Sequence, residues 1–204
     1  MPHTLGVACA MTSDLAALCF DAHRPAQLAR FWSELLGRKI GVYSEDEVEL
    51  LPGAASEFPI RFFPTQEQKQ GQNRAHFDLT SSSLEEQEQI VARALELGAK
   101  HIDVGQLPEE EHVVLADPES NEFCVIEPGN DFLAGCGVLG ALAGDGSQEA
   151  GYFWSKVLGW PLVWDEDQET AIQSPRGGAK LTWGGPPLMP RTHTDRLHFD
   201  CSGR

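Results

Sequence analysis

Apolar residues along the chain follow two spacings, which predict a strand and then a helix. Residues 15–21 (LAALCFD) form a strand-length apolar segment between polar residues. Pro25 suits the first turn of a helix, where its missing N–H costs nothing. Gly37 lies where a left-handed residue commonly ends a helix. Between them, five apolar residues fall at i, i+3, i+4, i+7 and i+8, which is the spacing of one helical face. They are Leu28, Phe31, Trp32, Leu35 and Leu36.

Short strand-length segments follow this helix, and the whole order then begins again. The second occurrence opens with the alternating segment 75–80 and continues into a helix that ends near Gly98. Ser83 and Glu86 form an S-x-x-E capping box for that helix. Each occurrence therefore predicts a β-α-β-β-β module. The remaining predicted strands are residues 39–43, 47–51, 59–63, 101–104, 112–116 and 122–127.

A longer repeat extends over these modules. The triplet Phe31, Trp32 and Ser33 recurs as Phe-Trp-Ser at residues 153–155, and His-Phe-Asp at residues 76–78 recurs at residues 198–200. The offset is 122 residues in both cases. A constant offset over more than forty residues indicates a duplicated unit whose connecting loops have equal total length in the two copies.

The repeat divides the sequence into four predicted parts. Residues 1–13 form an extension that we expect to be disordered. Residues 14–128 form a complete domain of two modules, and residues 129–135 are a linker. Residues 136–204 form a truncated second domain, with one module and one further strand. We therefore expect an α+β fold with an incomplete second domain, and any activity within residues 14–128.

The composition indicates which classes of partner to expect. The sequence has 31 Asp and Glu against 15 Lys and Arg, a net charge of −16, so its surface would repel a phosphate backbone. We expect no nucleic acid partner, and no apolar run approaches the roughly 20 residues that span a bilayer. The five cysteines contain no C-x-x-C pair, which favours free thiols in a cytoplasmic protein.

Two segments carry a resemblance to a known family. Residues 28–37 (LARFWSELLG) and residues 116–127 (ADPESNEFCVIE), on paired β-α-β-β-β modules, resemble the vicinal-oxygen-chelate superfamily. More narrowly, they are similar to its glyoxalase-like branch, which is found in many bacteria. The resemblance implies tandem modules whose sheets form half-barrels, with the helices outside and a ligand cavity between paired modules.

The resemblance also implies a position for a divalent metal, with ligands on the first, fifth and eighth strands. A metal held there stabilises an enolate or activates dioxygen. In this sequence those positions fall on Ala17, His76 and Cys124. Alanine has no ligand atom, so we expect no cofactor. The alternative is a metal held by His76 and Cys124 with help from Glu122, a set that zinc accepts better than magnesium.

Four residues are candidates for the lining of the cavity: Arg61, His76, Asp78 and Cys124. His76 and Asp78 are also the candidates for catalysis, as ligand or general base. Each has a structural alternative. His76 and Asp78 suit hydrogen-bonded positions in the sheet, Cys124 suits an inert buried thiol, and Arg61 suits an outward position on its strand.

Three functions remain open. The first is binding of a small hydrophobic or aromatic metabolite in the half-barrel, without an intact metal triad. The second is a metal-dependent lyase, isomerase or dioxygenase of the vicinal-oxygen-chelate class. The third is a structural module whose open second copy pairs with another chain, for example as a homodimer. Because one fold hosts many reactions, the sequence leaves open whether the protein is an enzyme.

Overall fold

The structure, a computed structural model, describes residues 13–54, 56–107, 109–191 and 193–203. All of the predicted extension except Ser13 lies outside these residues. None of the helices in these ranges is long and apolar enough to cross a membrane. The helices are α1 (Pro25–Leu36), α2 (Leu84–Glu96) and α3 (Gln148–Leu158). The strands are β1 (Ser13–Ala22), β2 (Ile40–Tyr43), β3 (Val48–Leu50), β4 (Ile60–Pro64), β5 (Ala75–Leu79), β6 (Lys100–His101), β7 (Val113–Ala116), β8 (Glu122–Val125), β9 (Leu139–Gly144), β10 (Leu162–Glu166), β11 (Glu169–Gln173), β12 (Lys180–Trp183) and β13 (Leu197–Gly203).

The strand and helix order confirms the α+β fold of β-α-β-β-β modules. The first module comprises β1, α1 and β2–β4, the second β5, α2 and β6–β8, and the third β9, α3 and β10–β12. The strand β13 follows the third module. The local signals agree in detail: Gly37 ends α1 with φ of 66°, and the Ser83 hydroxyl accepts a hydrogen bond from the Glu86 amide at 3.1 Å.

The repeat is visible in backbone geometry as well as in sequence. Gly159 ends α3 with φ of 66°, the same value as Gly37 in the first copy. The Ser33 hydroxyl donates to the carbonyl of Arg38 at 2.6 Å, and the Ser155 hydroxyl donates to that of Trp160 at 2.7 Å. The two copies therefore leave their first helix in the same way.

The strands form two sheets, and their order corrects one expectation. One sheet has the order β13-β1-β4-β3-β2, and the other has the order β10-β11-β12-β9-β5-β8-β7-β6. The second module thus pairs with the third, through antiparallel β5 and β9, while β1 of the first module pairs with β13. The first two modules do not form a shared half-barrel, so the cavity expected within residues 14–128 is not built from that pair. The domain boundaries themselves stay a prediction.

Aromatic packing, and not strand pairing, joins the first two modules. Trp32 of α1 is 1% exposed and lies edge-on to Phe77 of β5 and Phe123 of β8, at centroid distances of 5.0 and 5.1 Å. Phe20 of β1 packs against Phe77 at 5.6 Å. Because β1 and β5 meet through their core faces, the edge of β5 remains available to β9.

The predicted linker packs on the eight-stranded sheet. A turn of 3₁₀ helix covers Asp131–Leu133 and is capped by Asn130, whose side chain accepts from the Leu133 amide at 3.2 Å. Leu133 is 5% exposed. A Cβ added to Gly140 would lie 3.0 Å from a methyl carbon of Leu133, so this glycine allows the close approach. The segment is therefore part of the fold around the third module.

Candidate functional site

One face of the eight-stranded sheet points away from the core, and we call it the open face. Phe77 on β5 is buried in the core, so its neighbours His76 and Asp78 point to the other side. Residues in register across a sheet share its face. One row in register across the open face is Trp164, Ala171, Thr182, Ala143 and His76. The next row is Gln173, Lys180, Ala141, Asp78, Cys124 and Val114.

Three of the candidate residues meet on this face. His76 Nε2 lies 3.4 Å from a carboxylate oxygen of Asp78, and Asp78 is in register with Cys124 on the parallel strand β8. One ligand atom from each residue lies within 4.8 Å of the other two. The His76 side chain is 35% exposed, against 14% for Asp78, while Cys124 is buried. The cluster is therefore reached from solvent through the imidazole.

The electrostatics favour a protonated imidazole. Burial lowers the pKa of His76, but hydrogen bonds and charge interactions with Asp78 and Cys124 outweigh this and raise the pKa to about 10. Burial raises the pKa of the Cys124 thiol, and the neighbouring His76 offsets this only in part. At neutral pH these shifts favour an imidazolium paired with the Asp78 carboxylate, beside a neutral thiol.

The cluster fits a borderline-soft transition metal such as zinc better than a hard cation. A nitrogen, a carboxylate oxygen and a sulfur are ligands that zinc accepts, at spacings of about 3–4 Å in a tetrahedral site. Magnesium and calcium require mostly oxygen ligands. The third module adds no ligand opposite His76 and Asp78, because Ala143 and Ala141 lie there on β9. The residues therefore fit a three-ligand zinc site but not the family's harder metals.

The other two candidates lie elsewhere. Arg61 is on β4 of the five-stranded sheet, where it pairs with Glu49 at 2.8 Å and with Asp200 of β13 at 3.0 Å. Glu122 is on β8 next to the cluster, but its carboxylate accepts from Lys69 Nζ at 2.7 Å and from the Asn73 amide at 3.1 Å. The structure thus unites His76, Asp78 and Cys124 and gives Arg61 and Glu122 separate partners.

The third module contributes residues that the sequence reasoning did not single out. Lys180 on β12 is 7% exposed, and its ammonium donates to the carbonyl of Phe132 and lies 5.3 Å from the centre of that ring. Phe132 in turn lies edge-on to Trp164 of β10, with a centroid distance of 5.3 Å. The alternation of β12 would have indicated Lys180, but only knowledge of the pairing of β5 with β9 places it on the same face as His76.

The family-like hairpin has a structural position. Asp117 accepts from the Trp32 indole at 3.2 Å and from the Asn121 amide at 2.9 Å, and burial raises the pKa of its carboxyl to about 6 despite these bonds. Glu119 accepts from the backbone amides of His23 and Arg24 at the start of α1. The turn between β7 and β8 therefore fastens the second module to the first helix.

A separate cavity lies away from the cluster. It has a volume of about 150 Å³, and it is lined by apolar residues of β9, β12 and β13 that include Leu142, Leu181 and Phe199. At its polar rim, Arg74 is paired with Asp145 at 2.9 Å. None of the three residues of the cluster lines it.

Comparisons with known proteins find one matching family and several similar structures. The Glyoxalase-like domain family matches residues 17–126 and 141–203. Glyoxalase I from Zea mays superposes with a TM-score of 0.60 at 13% identity, covering 87% of this chain and 69% of that one. A glyoxalase/bleomycin resistance protein/dioxygenase family enzyme from Burkholderia phytofirmans gives a TM-score of 0.43 at 18% identity, covering 55% of this chain and 96% of that one.

No curated protein matches the sequence significantly. At 13% identity the maize structure shows the fold alone, while the family match extends over most of the chain on both sides of the linker. Three β-α-β-β-β modules in open sheets are the structural counterpart of that match. The chain therefore belongs to the Glyoxalase-like domain family, within the vicinal-oxygen-chelate superfamily.

Proposed function

We propose that this protein binds a small, flat metabolite with a carbonyl or carboxylate oxygen on the open face, without the family's metal triad. The observation that carries the proposal is the His76–Asp78 pair, whose imidazole is 35% exposed and lies opposite the small side chain of Ala143 on β9. The imidazole supplies a polar anchor, and the small side chain leaves space for an apolar body.

The shape of the open face supports a flat ligand. Between His76 and Trp164 the row contains only Ala143, Thr182 and Ala171. Adjacent strands are about 4.8 Å apart, so these two end residues are separated by roughly 19 Å along the sheet. Thr182 and Ala171 are buried and Ala143 is half-buried. The accessible floor on which an aromatic ring can lie is therefore the part of the row beside His76. Phe132 and Trp164 provide aromatic surface at the far end.

The protonation of the anchor favours binding over proton abstraction. With a pKa raised to about 10, His76 keeps its proton at neutral pH, so the ring nitrogen that does not face Asp78 donates a hydrogen bond to an acceptor on the ligand. Asp78 fixes the ring on one side, and the exposed part of the imidazole faces the ligand. A charged donor in this position selects an oxygen with negative or partial negative charge. A general base would need the neutral imidazole.

A set of aromatic carboxylates and matched neutral alcohols tests this proposal by ligand-observed NMR. We expect carboxylates to bind the intact chain and to lose at least about tenfold in affinity in His76→Gln, since a charged hydrogen bond contributes about 1.5–3 kcal/mol. The matched control is His198→Gln, because His198 occupies the same place in the second copy and is exposed. Equal binding by both variants, or no preference for carboxylates, would contradict the proposal.

A second candidate is a zinc-dependent enzyme, favoured by the spacing of the three ligand atoms within 4.8 Å. His76, Asp78 and Cys124 would hold the ion, and zinc would act as a Lewis acid toward substrate oxygens. Zinc requires the neutral imidazole and the thiolate, so it has to displace two protons. Binding should therefore strengthen steeply as the pH rises.

Zinc content and a cobalt spectrum separate the two candidates. If the second is right, protein purified without chelator contains about one zinc per chain. Its cobalt form shows a thiolate charge-transfer band that Cys124→Ser abolishes and Cys19→Ser retains. Cys19 is the matched control because it lies on β1, opposite Arg61 in the other sheet. A metal-free chain with no such band leaves the metabolite-binding proposal and rejects the zinc candidate.

A further inference from the structure

The outer face of α3 differs sharply from that of its repeat counterpart α1. Phe31 of α1 is 3% exposed, whereas Phe153 at the same place in α3 is 58% exposed. Both phenylalanines keep the same edge-on contact with the next tryptophan, at centroid distances of 5.1 and 5.4 Å. The helices thus carry the same aromatic pair, but in α3 only Trp154 is packed, against Phe199 at 4.8 Å, while Phe153 is exposed.

The first copy shows what covers such a face. In the first copy α1 packs against α2 of the second module, and Phe31 lies 6.0 Å from the ring of Phe123. The edge of this helix pair is closed by an ion pair between Glu34 of α1 and Arg93 of α2. In the first copy this aromatic face is therefore covered by the neighbouring module, with Phe123 of β8 against Phe31 and a charged pair at the edge of the contact.

The exposed residues of α3 lie on one side of the helix. Glu149, Tyr152, Phe153 and Lys156 are all exposed and follow the spacing i, i+3, i+4 and i+7. The opposite side is held against the sheet by Gly151, where an added Cβ would collide with Thr170 of β11. The exposed stripe therefore cannot turn inward.

We propose that this stripe of α3 is an interface for a second copy of the same chain, with the two α3 helices antiparallel about a two-fold axis. The charges on the stripe indicate that a second copy of the chain is the partner. Glu149 lies as far before the midpoint of Tyr152 and Phe153 as Lys156 lies after it. Antiparallel pairing about that midpoint places Glu149 of each copy beside Lys156 of the other, about 5 Å along the axis from the centre. The same face thus meets itself with opposite charges aligned and aromatic rings at the centre.

The interface replaces the α1–α2 contact with an intermolecular one. In the first copy the residue at the position of Lys156 is Glu34, which finds Arg93 on the neighbouring helix. In the dimer Lys156 pairs with Glu149 of the second copy. The charge at this helix position is therefore positive in α3 and negative in α1, but in both cases an ion pair lies at the edge of the contact. A contact of one helix pair is smaller than the roughly 1,200–2,000 Å² of a standard interface. We therefore expect a dissociation constant in the micromolar range.

Sedimentation of the full 204-residue chain over micromolar to submillimolar concentrations tests the interface. The intact chain dimerises, and Phe153→Gln weakens the dimer at least about tenfold. The matched control is Tyr43→Gln, because Tyr43 is equally exposed at 58% on the other sheet. A monomer at every concentration overturns the proposal, and so does a dimer that Phe153→Gln leaves intact.

A charge exchange gives an independent readout. Glu149→Lys or Lys156→Glu alone places like charges together and weakens the dimer, most strongly at low salt. The double variant restores the alignment and recovers dimerisation. Thermal unfolding of each variant at a concentration where all are monomeric separates a change in folding from a change in association. Failure of the double variant to recover, with unchanged folding, overturns the antiparallel arrangement.

Discussion

Replacing Glu119 with glutamine tests whether the hairpin between β7 and β8 holds the modules together. Both oxygens of the Glu119 carboxylate are occupied: they accept from the backbone amides of His23 and Arg24 at 2.8 and 2.6 Å. The Nη1 group of Arg196 donates to the same carboxylate at 3.2 Å. The two side chains of this ion pair are only 5% and 8% exposed, so solvent does little to compensate for its loss.

The expected magnitude follows from those contacts. The variant keeps the shape of the side chain but turns one acceptor into a donor, which then faces a backbone N–H. It also leaves the Arg196 guanidinium buried without its carboxylate, and loss of one partner of a buried pair costs about 3–5 kcal/mol. The carbonyl of Glu67, at 3.0 Å from Arg196, satisfies part of that charge. We therefore expect a loss near the lower end, about 3 kcal/mol.

Urea unfolding followed by tryptophan fluorescence measures this loss. With a slope of about 2–3 kcal/mol/M, Glu119→Gln should lower the midpoint by about 1 M. The matched control is Asp145→Asn, which removes the carboxylate that pairs with Arg74, the repeat counterpart of Arg196. The side chains of Arg74 and Asp145 are 23% and 10% exposed, more than those of Arg196 and Glu119. That control should lose less, about 1–2 kcal/mol. Equal losses, or a loss below about 1 kcal/mol in Glu119→Gln, would refute the reasoning.

Three further predictions concern pH and packing. The pKa of His76 is raised from 6.5 to about 10 on folding, so its stabilisation is complete below pH 6.5 and is lost as the pH rises through 10; the difference in urea midpoint between the intact chain and His76→Gln should shrink over that range. The pKa of Asp117 is raised from 3.8 to about 6, so its contribution should lower the free energy of unfolding as the pH rises from 3.8 to 6. Asp117→Asn should flatten that slope in the same titration. Leu181→Phe should fill part of the 150 Å³ cavity and raise the free energy of unfolding by about 0.5–2 kcal/mol, whereas Leu115→Phe in the packed core should lower it by about 1–3 kcal/mol.

The basis for Leu181→Phe is the internal repeat. Phe20 and Phe62 lie in register in the first module and stack at 5.5 Å, while Leu142 and Leu181 hold the same places in the third. The cavity lies beside these leucines. A phenylalanine at position 181 therefore copies a packing that the same backbone already accommodates in the first copy.

Local structure was predictable because local residues determine it. The end of α1 at Gly37 and the Ser83 cap of α2 depend on residues within one helical turn, and both are confirmed. The pairing of modules is a different problem. The first strand of every module presents a similar apolar core face, so β5 has no local preference for β1 over β9. Its choice follows from the aromatic contact of Phe20 with Phe77, which holds β1 and β5 face to face.

The candidate site was predictable in its second-module half only. Strand alternation places His76 and Asp78 on one face, and the parallel register of β5 with β8 puts Cys124 beside Asp78. Lys180 and Trp164 come from strands more than eighty residues after β5, and they join the face through β9. Phe132 was assigned to a linker, where composition gave no reason to expect a buried contact with Lys180.

The contact of Lys180 with Phe132 explains why one motif has two outcomes in the repeat. Arg61 and Lys180 hold equivalent places, opposite Cys19 on β1 and opposite Ala141 on β9. In the five-stranded sheet the Asp200 carboxylate forms an ion pair with Arg61, and His198 is exposed.

In the eight-stranded sheet Lys180 lies in the same row as Asp78, two strands or about 10 Å away, within reach of a long side chain. Its ammonium instead donates to the Phe132 carbonyl. Asp78 therefore remains with His76 and keeps the imidazole charged. The segment between the second and third modules, and not the His-x-Asp motif itself, thus decides which copy of the motif presents a charged donor on an open sheet.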